Sequence, residues 1–468
     1  MSIDRDLAAS IAATRFGLGA KPGEISAARG DPAAYLKTQI SAAGAEQPAG
    51  EFESAAQRIV ELRRFQQLRR AAKQDGDPRA DPVRMARKLI IEDAGAEFLA
   101  RMRLAATTDA GFRERWALFW FNHFTVGQKN LQTVILTGPF EREAIRPHVF
   151  GRFEDLLVAS SSHPAMLLYL DQARSVGPNS QYAGLSHMGV PALKGLGGLN
   201  ENLAREIMEL HTLGVGSGYS QGDVTEFARA LTGWSIVGLN EHRFGQPGEP
   251  GQFTFRQGAH EPGVRHILGK AYPQEGIDQA HAVLSDLATH PATAHHIAVK
   301  LARHFVADDP PPTLVARLEK RFSATGGQLD RVAETLIDSP EAWAPAERKF
   351  KTPYEFLISG YRAAGVPAGA EIAPVLTSLG QKPFSAPSPK GWSEDAADWA
   401  SPDGIVKRMG WAEAFSARVV ATDAQPMQIA RNTLGARLTP ATATAIGRAE
   451  SRTEAFSILL MSPEFQRR

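Results

Sequence analysis

Four times along this chain an amphipathic helical run stops at a short polar residue or a histidine, meets a proline, and starts again. The four segments are LLVASSSHPAM, LSDLATHPATA, ETLIDSPEAW and ILLMSPEF, with prolines at Pro164, Pro291, Pro340 and Pro463. Proline suits the first position of a helix, because the N–H it lacks would have had no partner there. The residue before it then stands at the N-cap, which places His163, His290, Ser339 and Ser462 in capping positions. A device repeated in this way predicts corners between packed helices. The capping role also weighs against His163 and His290 as catalytic groups. The remaining sequence agrees, with frequent Ala, Leu, Arg and Glu and few β-branched runs. The expected fold is mainly α: a multi-helix globular assembly with a small β-hairpin insertion and a C-terminal helical subdomain.

Punctuation by glycine and proline suggests where the parts divide. Residues 1–81 read as an N-terminal helical lead-in. It ends with a helix over 52–73 and the loop DGDPRADP, and a second long helix is expected over 82–107. A helical core spans 82–365 and contains a central motif at 200–234. The Pro-rich run QKPFSAPSPKGW (381–392) falls early in a C-terminal helical subdomain, 366–468. Within the core, Ser220 and Asp223 form a capping box for a helix whose apolar face is Val224, Phe227, Ala228 and Leu231, closed by Gly233. The helical rhythm then breaks. Phe253 and Phe255 alternate, the chain turns at Pro262-Gly263 and returns through Ile267-Leu268, so a β-hairpin is expected within 250–272.

Composition removes whole classes of function. The 468 residues include 52 basic and 51 acidic side chains, a net charge of +1, which lacks the basic excess of a nucleic-acid binder. There is no cysteine, so disulfides, zinc–thiolate sites, iron–sulfur clusters and thiol nucleophiles are excluded. No stretch approaches the ~18 apolar residues of a membrane span. Asp4, Arg5 and Asp6 precede no long apolar run, so no signal peptide is read and a cytoplasmic location is expected. Absence of cysteine suits a periplasmic protein equally, which leaves export with a partner open.

The chemistry concentrates in NENLAREIMELHTLG, 200–214. On one helix, Asn202, Arg205, Glu206 and Glu209 fall at i, i+3, i+4 and i+7 and make a polar stripe beside Leu203, Ile207 and Leu210. His211 lies about half a turn from the stripe, so on an unbroken helix it cannot share an ion with the carboxylates. In the functional reading Glu206 and Glu209 are paired acids that share a proton or bind a hard cation. In the structural reading the stripe meets solvent, with Arg205 and Glu209 as an i, i+4 pair. On FRERWALFWFNHFTV (112–126), Phe112, Trp116, Phe119, Trp120 and His123 share a face. Such a stripe is usually core, and His123 is either a buried, hydrogen-bonded histidine or a base of lowered pKa in a dry pocket. Asn122 either orients a substrate or caps the helix end. His260 and Glu261 read as a solvated turn. His296, Lys300 and His304 share a helical face that reads as solvated or partner-facing, because the lysine would repel a metal. KGLGGLN (194–200) reads as a loop leading into the main helix, and no nucleotide-binding, hydrolase, zinc-protease or kinase motif is present.

The run NENLAREIMELHTLGV followed by GYSQGDVTEFARALTGW resembles the bacterial family named domain of unknown function eighteen hundred. WFNHFTV, HPAMLLYLD, HPATAHHIAVKLARHFV, KTPYEFL and KGW with the later Trp399 and Arg408 match it as well. The resemblance runs from TRFGLG to the final SPEF. It departs at Gln172, where members often carry Asn. It implies no assigned reaction. It does imply a gene neighbourhood shared with a sulfatase-like family that carries twin-arginine export signals. Two functions follow as expectations. One is an enzyme in which Glu206 and Glu209 act as acid/base groups or metal ligands. There Arg205 binds an anionic group, His123 is an auxiliary base, and Asn202, Asn122 and Asp171 hold substrate. A divalent metal is the one cofactor class left open, with Glu206 and Glu209 as its candidate ligands. The alternative is a non-enzymatic helical scaffold or maturation partner of the sulfatase-like neighbour.

Overall fold

The computed structural model describes residues 3–77, 81–190, 197–238, 248–346, 349–419 and 425–468. Parts of two expected loops, 78–80 in DGDPRADP and 194–196 in KGLGGLN, lie outside the described residues. The described chain is mainly α, a globular assembly of many helices with two small antiparallel two-stranded sheets. Helices over Ala55–Gln74 and Asp81–Thr107 match the two expected long runs within a few residues. No described helix is long and apolar enough to cross a membrane.

The aromatic helix Gly111–His123 lies at the centre of the larger apolar core. Phe112, Trp116, Phe119 and Trp120 are all buried there. Trp116 stacks on Phe150 with centroids 5.9 Å apart and donates its indole N–H to the Val149 carbonyl at 2.7 Å, so its one polar atom is satisfied. A second apolar cluster runs from Tyr354 to Phe465 and takes in Leu18, Phe98, Met102, Ala105 and Ala106.

Buried ion pairs lie within and between these clusters. Arg115, on the aromatic helix, pairs with Glu355 on the helix Pro353–Ala364 of the second cluster. Arg146 is wholly buried and bonds both Glu114 oxygens at 2.8 Å, Glu141 at 2.6 Å and the Glu46 carbonyl at 2.6 Å. Arg101 meets the other Glu141 oxygen at 2.7 Å, and Arg58 meets Glu97 at 2.8 Å. A buried charge must be paired and hydrogen-bonded to be tolerated, and these side chains meet that condition largely through one another.

The corners form as the sequence predicts, with one difference. His163 Nδ1 accepts from Ala165 N, and His290 Nδ1 accepts from Ala292 N, each at 3.1 Å. Ser462 accepts from Phe465 N at 3.3 Å. Ser339 precedes only a short 3₁₀ turn, Pro340–Trp343, and caps nothing with its side chain. Its hydroxyl instead donates back to the Thr335 carbonyl at 2.6 Å.

The strands pair differently from the expected hairpin. β1 (Trp234–Ile236) pairs with β2 (Phe253–Phe255), matching Trp234 to Phe255 and Ile236 to Phe253. β3 (Arg265–Ile267) pairs with β4 (Lys270–Tyr272) across Leu268-Gly269, not across Pro262-Gly263. Both turn residues have positive φ, 51° and 75°, as a two-residue loop of type I′ demands. Leucine is a poor residue there. Asp223 compensates by accepting from Leu268 N at 2.6 Å, a tertiary contact that no local turn signal announces.

Replacing Arg146 with Met strands Glu114 in the interior and removes one partner of Glu141. Urea titration is expected to show a loss of about 3–5 kcal/mol, the cost of breaking a buried pair from one side. The double variant Arg146→Met with Glu114→Gln recovers part of it. A loss below about 1 kcal/mol in the single variant contradicts the assigned role.

Candidate functional site

The helix at 200–214 is not continuous. An α-helical turn, Asn202–Glu206, runs into a π-helical turn, Ile207–His211. Asn200 starts it by accepting from Asn202 N at 2.8 Å. The wider π-turn leaves spare carbonyls, and the Thr212 hydroxyl donates to Ile207 O at 2.6 Å. Gly214 closes the segment at φ 90°, where a Cβ would stand 2.9 Å from His296 Nδ1, so a larger residue would displace that ring. The expected single helical wheel is therefore corrected, and π-turns of this kind are frequent at functional sites.

The polar stripe divides. Arg205 does not pair with Glu209. It donates to Glu201 at 3.0 Å and Gln221 at 2.8 Å, tying this segment to the next helix, Gln221–Leu231. Thr225 and Gln221 complete the Glu201 network at 2.6 and 2.8 Å. Glu206 and Glu209 stay together, both half-buried. Burial raises the Glu206 acid above the usual carboxylate range, the neighbouring Glu209 raises it further, and Arg205 opposes both. Tyr219 donates to Glu209 at 3.5 Å. Burial, and next the charge of Glu206, hold the Tyr169 phenol above its ordinary value, so two tyrosines flank the carboxylate pair.

The other predicted residues lie elsewhere. Asn202 is exposed and borders an open depression with Asp171, Arg174 and Asn200. Asp171 is held in the left-handed region, φ 59°, and faces Lys129 at 3.9 Å across solvent. Asn122 accepts from Trp392 N at 2.8 Å and donates to Trp392 O at 3.0 Å, so its amide is spent on another loop's backbone. Among the described residues, no group of three or more His, Asp or Glu side chains is placed to hold a metal ion. Glu206 and Glu209 supply two carboxylates and no more.

His123 is buried, and its Nε2 donates to the His211 carbonyl at 3.1 Å, not to a carboxylate. Its ring lies 6.0 Å from that of His211 and 6.3 Å from that of His296. Lys300 follows His296 by one helical turn. The stripe His296–Lys300–His304 therefore faces inward, contrary to the solvated reading, because the π-turn and the aromatic helix cover it. Burial, with Lys300 as the next cause, holds His123 well below its ordinary range, His211 at about 3 and His296 at about 4. Lys300 itself is lowered to about 8, chiefly by burial. His260 and Glu261 are also buried rather than solvated. Glu261 accepts from Asn179 N at 2.8 Å and Nδ2 at 2.6 Å, and His260 Nδ1 meets the Thr232 carbonyl at 2.9 Å. The inward histidines and the cross-chain role of Glu261 were beyond sequence reasoning, since both depend on neighbours far away in the chain.

Because His211 and His296 titrate at about 3 and 4 when folded, the unfolded chain takes up protons first as pH falls. Stability is present above pH ~6.5 and is lost as pH falls, down to ~4 for His296 and ~3 for His211, on the order of 1 kcal/mol per pH unit for each histidine. His211→Phe is expected to flatten this acid limb in urea titrations at successive pH values. An unchanged slope contradicts the assignment.

No curated protein and no solved structure matches the chain. A model of the family described as protein of unknown function (DUF1800) matches residues 11–467. The matched span holds every residue of the carboxylate pair and of the histidine cluster, and on it the chain belongs to that family.

Proposed function

We propose that this chain is an enzyme of the acid–base class, with Glu206 and Glu209 as the working carboxylates. The observation that carries the reading is the raised acid of Glu206, half-buried beside Glu209. Paired carboxylates in which one keeps its proton to higher pH are the arrangement that general acid–base chemistry uses. Glu206 is then the proton donor and Glu209 the partner carboxylate, oriented by the Tyr219 hydroxyl. Arg205 acts through its bonds to Glu201 and Gln221, as a positioning residue. A divalent cation at this pair would draw its remaining ligands from solvent or substrate.

The test is a screen of the purified protein against nitrophenyl esters, glycosides, phosphates and sulfates. Wherever turnover is found, Glu206→Gln is expected to lower kcat by about 10²–10⁴ while leaving the melting temperature unchanged. Activity that needs protonated Glu206 falls as pH rises through its pKa. Glu209→Gln removes the charge that raises that pKa, so the alkaline limb moves to lower pH. Full activity in Glu206→Gln sinks the proposal.

A second reading, a scaffold or maturation partner for the sulfatase-like neighbour, draws on a different observation. Met85, Leu89 and Ile91 are exposed on the first half of the helix Asp81–Thr107, and Val60 and Leu68 are exposed on the helix packed beside it. Exposed apolar side chains on adjoining helices suit a docking face. In that case the chain travels with an exported partner. Co-purification with the neighbour that is lost in Leu89→Lys supports the scaffold; no co-purification removes it.

A further inference from the structure

Between the helices Ile372–Ser378 and Ala396–Trp399 the chain runs through residues 379–395 without regular structure. Connections beyond about 12–15 residues with no structure of their own are uncommon in compact domains and usually serve a site. This one forms one side of a cavity of about 100 Å³. Main-chain bonds hold it there: Gln128 N donates to the Phe384 carbonyl at 2.9 Å, and Asn122 bonds both main-chain groups of Trp392. Phe384 stands at φ 50°, an unusual conformation for a bulky residue, and its ring packs edge-on against Phe98 at 5.1 Å and Phe121 at 5.8 Å.

Phe98, Phe121, Tyr354, Phe384 and Trp392 give the cavity aromatic walls. Such walls offer both faces and edges to another ring. An apolar cavity of roughly 150 Å³ admits benzene, so this smaller one has room for a single ring whose substituent stays at the mouth. Lys382 lines the cavity and is itself exposed, so the mouth reaches the surface beside it.

The charged groups of the walls are matched, with one exception. Arg101 is held by Glu141 at 2.7 Å, Arg115 by Glu355, and Glu394 meets His304 at 2.8 Å and Lys349 at 4.0 Å. The exception is Lys382, whose ammonium has no carboxylate and no hydrogen bond among the described residues. Next to it, Gln381 Oε1 accepts from Tyr354 N at 2.7 Å, which fixes the amide and leaves Nε2 as a donor. That nitrogen has no partner among the described residues, and it is not closed off from solvent. The same holds for the indole N–H of Trp392. These three groups can only donate. A hydrogen-bond acceptor at the mouth suits them, and an anionic acceptor also meets the unmatched charge.

We propose that this cavity binds a small aromatic carboxylate. The ring lies among Phe98, Phe121 and Tyr354, and the carboxylate meets Lys382 and the Gln381 amide at the rim. Neither Glu206 nor Glu209 lines this cavity, so the inference stands whether or not they are catalytic.

Calorimetric titration of the full chain with benzoate, benzamide, benzylamine and acetate tests it. Benzoate is expected to bind about threefold tighter than benzamide, its neutral counterpart, as an ion pair open to solvent allows. Benzylamine, a cation at neutral pH, should bind more weakly than either, and acetate, which has the charge without the ring, should not bind measurably. Lys382→Met keeps the apolar stem of a surface residue, so the variant should fold. It should bind benzoate no better than benzamide and leave benzamide unchanged. Leu118→Phe, which fills the cavity, should lose both ring ligands, with retained cooperative melting confirming a folded chain. Any one of four results overturns the proposal: benzamide or benzylamine binding as tightly as benzoate, acetate matching benzoate, undiminished benzoate binding in Lys382→Met, or no benzoate binding at about 10 mM.

Discussion

Arg115 and Glu355 hold the two apolar clusters in a fixed relation. One sits on the aromatic helix and the other on the helix Pro353–Ala364, 240 residues later, and both are buried. Neither charge is tolerable alone in that interior. Burial drags the Arg115 guanidinium down to about 9, and Arg468 acts in the same direction, while Glu355 works against both. Arg468 also meets Glu355 at 3.1 Å and donates to the His304 carbonyl, so one carboxylate serves two cations. The helices on either side cannot slide without uncovering one of these groups. Such pairs add little net stability compared with an apolar filling, but they restrict how the clusters can sit against each other.

Much of the helical framework was readable because its signals are local. The proline corners at His163, His290 and Ser462, the capping box of Ser220 and Asp223, and the apolar face Val224–Leu231 each depend on residues within one or two turns. The failures share an opposite cause. The Leu268-Gly269 turn is supported by Asp223, on a different element, which accepts from the Leu268 N–H. Ser339 had the right residue type but no helix long enough to need it.

The candidate site was half legible for a related reason. The helical wheel correctly united Glu206 with Glu209, since that spacing survives the change of turn. It misjudged Arg205, whose partners Glu201 and Gln221 lie behind it and on the next helix. It also treated His296, Lys300 and His304 as an outward stripe. His296 meets the Leu210 carbonyl of the π-turn, which no periodicity of 3.6 describes, and His304 meets Phe119 and Glu394. Glu394 and His304, 90 residues apart, meet only in three dimensions, although KGW and LARHFV were both visible as motif pieces.

The segment over residues 379–395 divides its course from its lining. Its course is set by main-chain bonds at Phe384 and Trp392 to groups on the aromatic helix and just beyond it, whereas the shape of the space beneath depends on side chains. Exchanging those side chains should leave the path of the roof intact. Members of one lineage can then diverge in what they enclose without renegotiating the scaffold, and a designer can vary the lining as a palette on a fixed frame.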